Sequence, residues 1–299
     1  MIQVNALTKK FGDFTALHAL DCTIPSGCIY GMVGSNGAGK STLLRLITGV
    51  YRPDGGNVTL DGKNVYENPS LKKHMVFVPD ELYFLPQASM ERMAKTYASV
   101  YENFDFARFK ELTETFKLNT KANLNTFSKG MRRQAATILA LSCKTDYLFL
   151  DETFDGLDPI MRNLVKKILY ADVAERNATA VITSHSLREL EDTCDQLALL
   201  HKGGIVFESD VQNLKTTLFK VQIAFDHEYD HTFFAGFDVL NFVKHGSVSN
   251  LIIRGDRDKV TETLRTKSPI LMEILPLTLE EVFLYEMESL GYTFEDEIN

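Results

Sequence analysis

Apolar residues form short continuous runs along the first two hundred positions of the chain. Runs of this length predict strands buried on both faces, as in a parallel sheet. They lie at residues 29–33, 75–78, 147–150 and 179–183. Segments with helix-like apolar spacing follow them, at residues 41–50, 89–118, 128–142 and 159–170. Strands and helices that alternate in this way predict an α/β fold.

Other segments predict elaborations of this core. Apolar and polar residues alternate at residues 2–7 and 19–24, and residues 57–60 form a strand-like stretch between turn residues. These three segments predict an antiparallel β subdomain, in which residues 9–13 join the first two strands. The long helical segment falls between two core strands and predicts a helical subdomain at about residues 87–143.

The pattern changes near residue 213. Strand-like runs at residues 218–225, 239–243, 248–254 and 270–275 accompany predicted helices at 258–266 and 278–290. We therefore predict two domains, a first at residues 1–212 and a small α+β accessory domain at residues 213–299. The accessory domain contains no catalytic constellation that the sequence reveals.

Composition narrows the class of protein. The chain has 299 residues, a formal net charge of -8 and a pI near 5.4, which disfavours a nucleic-acid surface spread over the whole molecule. The first residues lack a signal peptide's basic and apolar regions, and no uncharged apolar run is long enough to span a bilayer. The four cysteines have no C-x-x-C spacing, so we expect reduced thiols in a cytosolic protein.

One loop carries the clearest chemistry. Its residues fit G-x-x-x-x-G-K-[ST], the phosphate-binding pattern, and are Gly34, Ser35, Asn36, Gly37, Ala38, Gly39, Lys40, Ser41 and Thr42. Glycines let the backbone turn so that its N–H groups point at a di- or triphosphate. Lys40 supplies charge to the β- and γ-phosphates, and the Ser41 hydroxyl is suited to a phosphate-bound Mg²⁺. The strand before the loop and the helix after it complete the expected context.

Acidic residues end another predicted strand. Asp151 and Glu152 follow the apolar run 147–150, where the first carboxylate can hold Mg²⁺ and the second can take a proton from water. His185 follows the run 179–183, which places it at the same sheet edge as the phosphate loop. A histidine at a strand end is more often structural.

Three further features have two interpretations each. Phe11 either stacks on a nucleobase or belongs to the core. Ser128 is suited to be the N-cap of a helix whose start either binds an anion or is simply capped. The apolar loop at residues 82–86 either packs on the core or docks a partner.

These pieces in this order resemble the nucleotide-binding subunits of ATP-binding cassette (ABC) transporters over about residues 1–212. The resemblance implies a P-loop NTPase core with antiparallel β and helical subdomains. It also implies that Phe11 stacks on adenine and that residues 34–42 form the Walker A loop. Residues 127–131 are then the family signature, and Asp151 and Glu152 end the Walker B strand.

The resemblance extends to two more motifs and to a subgroup. It implies a D-loop at residues 156–158, which contains Asp158, and makes His185 the switch histidine. Residues 184–191, 199–203 and 279–283 are similar to bacterial exporter-type (ABC-2-like) cassettes that pair with a separate membrane subunit.

The chain departs from the family pattern at three places. Asp80 stands where the family usually has a glutamine, and a carboxylate there would be repelled by the γ-phosphate unless it is metal-bound. Lys129 and Met131 replace the common glycine and glutamine of the signature, while Ser128 is kept. Thr153 replaces the common proline after the catalytic glutamate.

A mechanism follows from the resemblance. Two such subunits would clasp two ATP molecules head to tail, with Ser128 and Gly130 of one reaching the γ-phosphate bound by the other. Glu152 would polarise the attacking water, His185 would hold the γ-phosphate, and Lys40 with Mg²⁺ would offset developing charge.

The resemblance also implies partners and a location. We expect a second ATPase subunit and an integral membrane subunit that docks at residues 82–86, on the inner face of the cell membrane, with no nucleic acid partner. One alternative is a soluble ABC ATPase that acts on ribosomes or DNA, although only one set of motifs and no long coiled coil occurs here. Another is a non-hydrolysing cassette that senses ATP.

Overall fold

The computed structural model describes residues 1–211 and 217–289. The chain divides between Glu208 and Ser209 into two compact units. The boundary predicted between residues 212 and 213 lies outside the described residues, as do residues 290–299 and therefore the predicted end of the last helix. Within the described ranges, no helix combines the length and apolarity needed to cross a membrane.

The first unit is built on a six-stranded sheet in the order β10-β9-β3-β8-β7-β6. The strands are β3 (Ile29–Val33), β6 (Met75–Val78), β7 (Tyr147–Leu150), β8 (Thr179–Ser184), β9 (Gln196–His201) and β10 (Gly204–Asp210). β3 pairs in parallel with β8 and β9, and β7 pairs in parallel with β6 and β8. The four apolar runs of the sequence are therefore confirmed as buried strands.

Parallel pairing aligns the carboxyl ends of these strands at one edge of the sheet. Val33 lies opposite Ser184, and Leu150 lies opposite Ile182 and Val78. The backbone N–H of Asp151 continues this pairing by donating to the Val78 carbonyl at 2.9 Å. The segments that follow β3, β6, β7 and β8 therefore begin side by side.

Seven helices of the first unit surround the sheet or extend from it. They are α1 (Lys40–Ile47), α2 (Pro69–Lys72), α3 (Met90–Val100), α4 (Phe106–Thr115), α5 (Lys129–Ser142), α6 (Pro159–Arg176) and α7 (Leu187–Glu191). α6 contacts β3 and β8, whereas α5 contacts α3, α4 and β6. Ser128 caps α5 as predicted, since its hydroxyl accepts the Met131 N–H at 3.2 Å.

A second sheet of this unit is antiparallel, in the order β2-β1-β4-β5. Its strands are β1 (Ile2–Phe11), β2 (Phe14–Ile24), β4 (Gly55–Leu60) and β5 (Lys63–Asn64). One hydrophobic cluster joins both sheets to α1 and includes Leu17, Met32, Leu44 and Phe149. The core of the unit therefore lies around the helix that follows the phosphate loop.

The β1–β2 hairpin is longer than predicted. The sequence assigned residues 9–13 to a connection, but only Gly12 and Asp13 separate the two strands. Register shifts interrupt the pairing, and Ala6 and Ala19 have positive φ values of 44° and 47°. Bulges of this kind break the period-two alternation, which explains why the predicted strands were too short.

The helical insertion also differs from the prediction. The sequence predicted helical structure from residue 89 to about residue 118, but α3 ends at Val100 and α4 begins at Phe106. Tyr101 has an extended backbone, and the Asp105 carboxylate accepts the Arg108 N–H at 3.0 Å as the N-cap of α4. The capping residue starts a new helix inside a segment whose apolar spacing is nearly continuous.

The second unit contains a four-stranded antiparallel sheet in the order β12-β13-β11-β14. Its elements are β11 (Leu218–Ala224), β12 (Asp238–His245), β13 (Val248–Arg254), α8 (Arg257–Thr266), β14 (Leu271–Leu275) and α9 (Leu279–Ser289). Val221, Phe234, Leu251 and Leu264 form part of its own hydrophobic cluster. An α+β arrangement is what the sequence predicted for this region.

A buried carboxylate fastens the helical insertion to the rest of the first unit. Asp172 of α6 is 2% exposed, and its two oxygens lie 2.7 Å from Arg108 Nη2 and 2.9 Å from Arg176 Nη2. Arg108 belongs to α4. Because burying a carboxylate is costly unless cations pair with it, this arrangement holds α4 against α6.

We predict that Asp172→Asn lowers the free energy of unfolding by about 2–4 kcal/mol, because two largely buried arginines lose their counter-charge. Urea unfolding of the full chain measures this change. Glu114→Gln is the matched control, since Glu114 lies 3.9 Å from Lys110 in an exposed pair and exposed pairs contribute little. Equal effects of the two substitutions would contradict this account of Asp172.

Candidate active site

A cavity of about 450 Å³ opens at the carboxyl edge of the parallel sheet. Five segments that are far apart in the sequence contribute to it: the β1–β2 hairpin, the phosphate loop, and the segments after β6, β7 and β8. The lining residues are Phe11, Phe14, Ala16, Ser35, Asn36, Gly37, Ala38, Gly39, Lys40, Ser41, Thr42, Asp80, Glu152, Asp155 and His185. Most of the predicted site residues are therefore brought together.

The phosphate loop needs its glycines for close packing and for its backbone shape. A Cβ atom on Gly34 would lie 2.4 Å from the Leu200 carbonyl oxygen. Gly39 has a φ of 106° and stands at the N-cap of α1, where no side chain caps the helix. The first N–H groups of α1 therefore remain available to an anion.

Lys40 is buried and its ammonium group is held by oxygen atoms. Its Nζ donates to the Gly34 carbonyl at 2.6 Å and to the Ser35 carbonyl at 3.3 Å, and it lies 3.3 Å from Glu152 Oε1. Only 5% of Lys40 is exposed. This cation lies at the floor of a cavity whose loop is shaped for phosphate.

Glu152 links Lys40 to His185. Its Oε2 lies 2.9 Å from His185 Nδ1, and its backbone N–H donates to Thr183 Oγ1 at 3.0 Å. Glu152 has a φ of 48°, which is uncommon for a residue with a side chain and is typical of constrained sites. The carboxylate is therefore fixed between the cation of the phosphate loop and the histidine after β8.

Asp151 lies beneath Glu152 and is completely buried. Its Oδ1 accepts the Thr183 hydroxyl at 2.6 Å, whereas its Oδ2 has no hydrogen-bond partner. A buried carboxylate oxygen without a partner is costly unless a cation or ligand satisfies it. This orphaned oxygen fits a hard cation such as Mg²⁺, which binds proteins through one or two carboxylates together with phosphate oxygens.

Aromatic side chains stand at one side of the cavity. Phe11 is 45% exposed, and its ring meets Tyr51 edge to face with centroids 5.6 Å apart. Phe14, across the hairpin turn, is 63% exposed. The sequence analysis did not identify Phe14; its signal was its place beside Phe11 on the other side of a two-residue turn. Both rings are accessible to a flat ligand.

Three predicted contacts lie outside this cavity. The Ser128 hydroxyl caps α5, and Asp158 Oδ1 caps α6 by accepting the N–H groups of Ile160 and Met161. Gly130 packs so closely that an added Cβ atom would lie 2.6 Å from the Gly156 carbonyl. The start of α5 and the loop before α6 therefore contact each other rather than the phosphate loop of the same chain.

Asp80 lies at the cavity, but one of its oxygens is engaged elsewhere. Its Oδ1 lies 2.6 Å from Nη2 of Arg133, which is 1% exposed. The sequence analysis did not identify Arg133. The available signal was its position three residues before Ala136 and seven before Ala140, on the apolar face of α5, where a cation needs a partner.

Lys129 forms a more exposed pair with Asp155. The Lys129 ammonium donates to Asp155 Oδ2 at 2.6 Å, and this hydrogen bond, together with the charges of Lys129, Arg133 and His185, lowers the pKa of Asp155 below its ordinary value. Asp155 therefore stays ionised to lower pH than a free aspartate.

The fold and the cavity together define the class of protein. The phosphate site of P-loop nucleotide-binding proteins consists of a parallel strand, a glycine loop, a lysine and the start of a helix. This chain has all four, with the lysine buried and the helix start uncapped. At the same sheet edge lie Asp151, with an oxygen that could hold a cation, and Glu152, whose carboxylate contacts His185.

Comparison with known proteins gives the family. The ABC transporter family model matches residues 17–155. The ABC transporter ATP-binding protein YtrB of Bacillus subtilis strain 168 is 27% identical over 95% of this chain and 97% of its own length. The daunorubicin/doxorubicin resistance ATP-binding protein DrrA of Streptomyces peucetius is 30% identical, over 73% of this chain and 67% of its own.

Solved structures agree with the fold. The dimeric ATP-binding cassette MJ0796, in a post-hydrolysis state bound to ADP and Pi, has a TM-score of 0.64 at 20% identity. The similarity covers 71% of this chain and 99% of that one. The chain belongs to the ABC transporter family, and it is an ATP-binding, ATP-hydrolysing subunit of that family.

We predict that Gly34→Ala weakens ATP binding about tenfold or more, equivalent to about 1–3 kcal/mol. The added methyl group would collide with the Leu200 carbonyl and displace the carbonyl that Lys40 contacts. Titration with a fluorescent ATP analogue measures the change. Gly236→Ala is the control, because no atom lies within 4 Å of its added Cβ atom and its backbone is not in the positive-φ region; an equal loss of ATP affinity in the two variants would refute the steric explanation.

Proposed function

We propose that this chain powers export through a separate membrane subunit, and that its own residues act on ATP as follows. The observation that carries the proposal is the buried Asp151 oxygen without a partner, placed next to Glu152 at the phosphate cavity. Export is supported by relatives such as DrrA and the bacitracin transport protein BcrA of Bacillus licheniformis. The import protein CysA of Mycobacterium tuberculosis also matches, over 60% of its length.

ATP enters with its phosphates on the loop 35–42 and its base beside Phe11. The Lys40 ammonium then exchanges its contact with Glu152 for the β- and γ-phosphates, which carry more negative charge. Ser41 and Asp151 would hold Mg²⁺, which when bound neutralises charge on the phosphates. Metal binding would thus satisfy the Asp151 oxygen that has no partner, whereas phosphate binding would give Lys40 a more highly charged partner than Glu152.

Glu152 orients and polarises the attacking water. Once Lys40 has moved to the phosphates, the Glu152 carboxylate is free to accept a hydrogen bond from water, and its constrained backbone keeps it at the γ-phosphate. His185, which contacts Glu152 Oε2, would donate a hydrogen bond to a γ-phosphate oxygen. Lys40 offsets the charge that develops on the transferred group.

A second ATPase subunit completes the site. Ser128, Gly130 and Asp158 lie outside the cavity of their own chain, which supports their acting on nucleotide bound by another subunit. Two apolar side chains near them, Met131 and Ile160, are 36% and 75% exposed. Such residues gain from burial in an interface. We therefore propose a head-to-tail dimer, either of this chain or with a related one.

The loop at residues 82–86 docks the membrane subunit. Phe84 is buried and anchors the loop, whereas Tyr83 and Leu85 are 80% and 50% exposed. Exposed aromatic and aliphatic residues on an anchored loop favour a protein contact. With this docking, the chain works at the inner face of the cell membrane, on its cytoplasmic side.

Two alternative functions, action on ribosomes or DNA and ATP sensing without hydrolysis, are disfavoured. The matched relatives are ATP-binding proteins of ABC transporters, which disfavours action on ribosomes or DNA. Lys40, Asp151, Glu152 and His185 gather at one sheet edge, which favours hydrolysis over sensing alone.

We predict that Glu152→Gln reduces the ATPase kcat by roughly 10²–10⁴-fold, because a neutral amide cannot accept the proton of water. ATP binding should persist, since the amide no longer competes for Lys40, and the variant should accumulate as an ATP-bound dimer. Steady-state turnover and light scattering after gel filtration measure these effects. Glu175→Gln on the exposed side of α6 is the charge control; turnover of Glu152→Gln at the wild-type rate would refute the assignment.

We predict that replacing both Tyr83 and Leu85 by serine lowers recovery of the membrane subunit with the tagged full chain by roughly tenfold or more. ATPase activity of the isolated chain should stay unchanged, because both side chains are exposed. Quantitative mass spectrometry of complexes solubilised from native membranes measures recovery. Ile270→Ser, at an apolar residue that is 68% exposed in the second unit, is the control, and equal recovery of all variants would exclude docking at this loop.

A further inference from the structure

A buried guanidinium group joins three segments next to the ATP cavity. Arg133 of α5 donates from Nη2 to Asp80 Oδ1 at 2.6 Å and from Nη1 to the Pro79 carbonyl at 2.9 Å. A longer contact of 3.5 Å runs from Nη1 to the Asp151 carbonyl. One side chain therefore touches the loop after β6, the end of β7 and the helix that carries it.

The charge of this group makes its partner important. A guanidinium that is 1% exposed has lost nearly all contact with water, so a carboxylate must compensate it. The Arg133 Nε atom has no hydrogen-bond partner, which leaves the pairing dependent on the two terminal nitrogens. The Asp80 carboxylate supplies a full negative charge to one of them. Loss of that charge would leave a buried cation with carbonyl contacts alone.

Asp80 also borders two cavities. It lines the ATP cavity, and it lines a second cavity of about 300 Å³ together with Glu81, Leu82, Lys129, Arg132 and Arg133. A ligand that shifts Asp80 must therefore shift Arg133 or break their ion pair. Helix α5, which carries Arg133, begins directly after Ser128 and includes Gly130.

Asp151 and Asp80 have different hydrogen-bond and ion-pair partners. Asp151 has an oxygen without a partner, which fits a cation, whereas an oxygen of Asp80 is already engaged by a guanidinium. We propose that Asp80 is a positioning residue: its ion pair with Arg133 locks the loop after β6 to helix α5, so that α5 keeps one orientation relative to the ATP cavity. This role replaces direct metal binding at this position.

Two further ion pairs near the helical insertion have no buried member, unlike the Asp80–Arg133 pair and the Arg108–Asp172 pair. Lys129 pairs with Asp155, and Lys73 with Glu102, both at 2.6 Å, but these side chains are between 38% and 78% exposed. Exposed pairs are screened and contribute little. Glu102 follows α3 in the insertion while Lys73 follows α2, so this pair offers a matched control that bridges the same two regions.

The first test measures the orientation of the insertion without nucleotide, so it does not depend on the hydrolysis mechanism. Spin labels on Lys95→Cys in α3 and Glu175→Cys in α6 report the distance between insertion and core by pulsed electron paramagnetic resonance. Asp80→Asn should broaden the distance distribution about twofold or more, whereas Glu102→Gln should leave it unchanged. An unchanged distribution in Asp80→Asn would overturn the proposal.

Labelling of the native thiols should be slow. All four cysteines are buried. Burial raises the pKa of Cys22 to about 12 and that of Cys28 to about 11, so little reactive thiolate is present. The chain without added cysteines provides the background signal.

The second test separates positioning from metal binding. Asp80→Asn should lower the ATPase kcat by roughly ten- to a hundredfold, the scale expected when active-site groups are misplaced, while the apparent Mg²⁺ affinity changes less than twofold. A tenfold loss of Mg²⁺ affinity with an unchanged distance distribution would identify Asp80 as a metal ligand instead. A double-mutant cycle combines Asp80→Asn with Arg133→Gln. The double variant should hydrolyse ATP no more slowly than Arg133→Gln alone, because the two residues act as one unit. Additive losses of kcat would contradict the proposal.

Discussion

Parallel pairing of three strands is the constraint on which the site depends. Because β3, β8 and β7 lie side by side and run in one direction, Val33, Ser184 and Leu150 end at the same edge. The phosphate loop, His185 and Glu152 follow these ends, although more than a hundred residues separate the first from the last. Because each strand needs only to be apolar and short, the residues that contact a ligand can occupy the turns that follow the strands.

Buried charge is the second consequence of this arrangement. Lys40, Glu152 and His185 form a chain of close contacts across the sheet edge, with distances of 3.3 Å and 2.9 Å. The side chains of Lys40 and Glu152 are only 6% and 12% exposed, so each of these two charges needs the other. In the proposed mechanism a triphosphate competes with Glu152 for Lys40, so that substrate binding also releases the carboxylate that polarises the attacking water. Affinity and activation therefore share one ionic contact.

The sequence predicted what depends on local pattern or on a fixed motif. The strands at 29–33 and 147–150 and the Ser128 cap were confirmed, because apolar runs and capping residues act on their own neighbourhood. The break between α3 and α4, the full length of the β1–β2 hairpin and the role of Arg133 were missed. The break depends on Asp105, which caps α4 inside a nearly continuous apolar spacing. The hairpin length depends on bulges, and the pairing of Arg133 depends on Asp80, which is distant in the sequence. None of these changes the apolar spacing enough to be recognised.

Two aspartates of the same type illustrate how environment, rather than identity, decides a role. Asp151 is fully buried, has one oxygen bonded to Thr183 and keeps the other oxygen free of hydrogen bonds. Asp80 has a side chain that is 45% exposed and an oxygen bound to Arg133. A divalent cation gains most where water is already excluded and a carboxylate oxygen has no competitor. Arg133 is such a competitor, and it is fixed by burial in α5. The proposed roles, a metal ligand at Asp151 and a positioning anion at Asp80, therefore rest on the partners of the two carboxylates and not on their residue type.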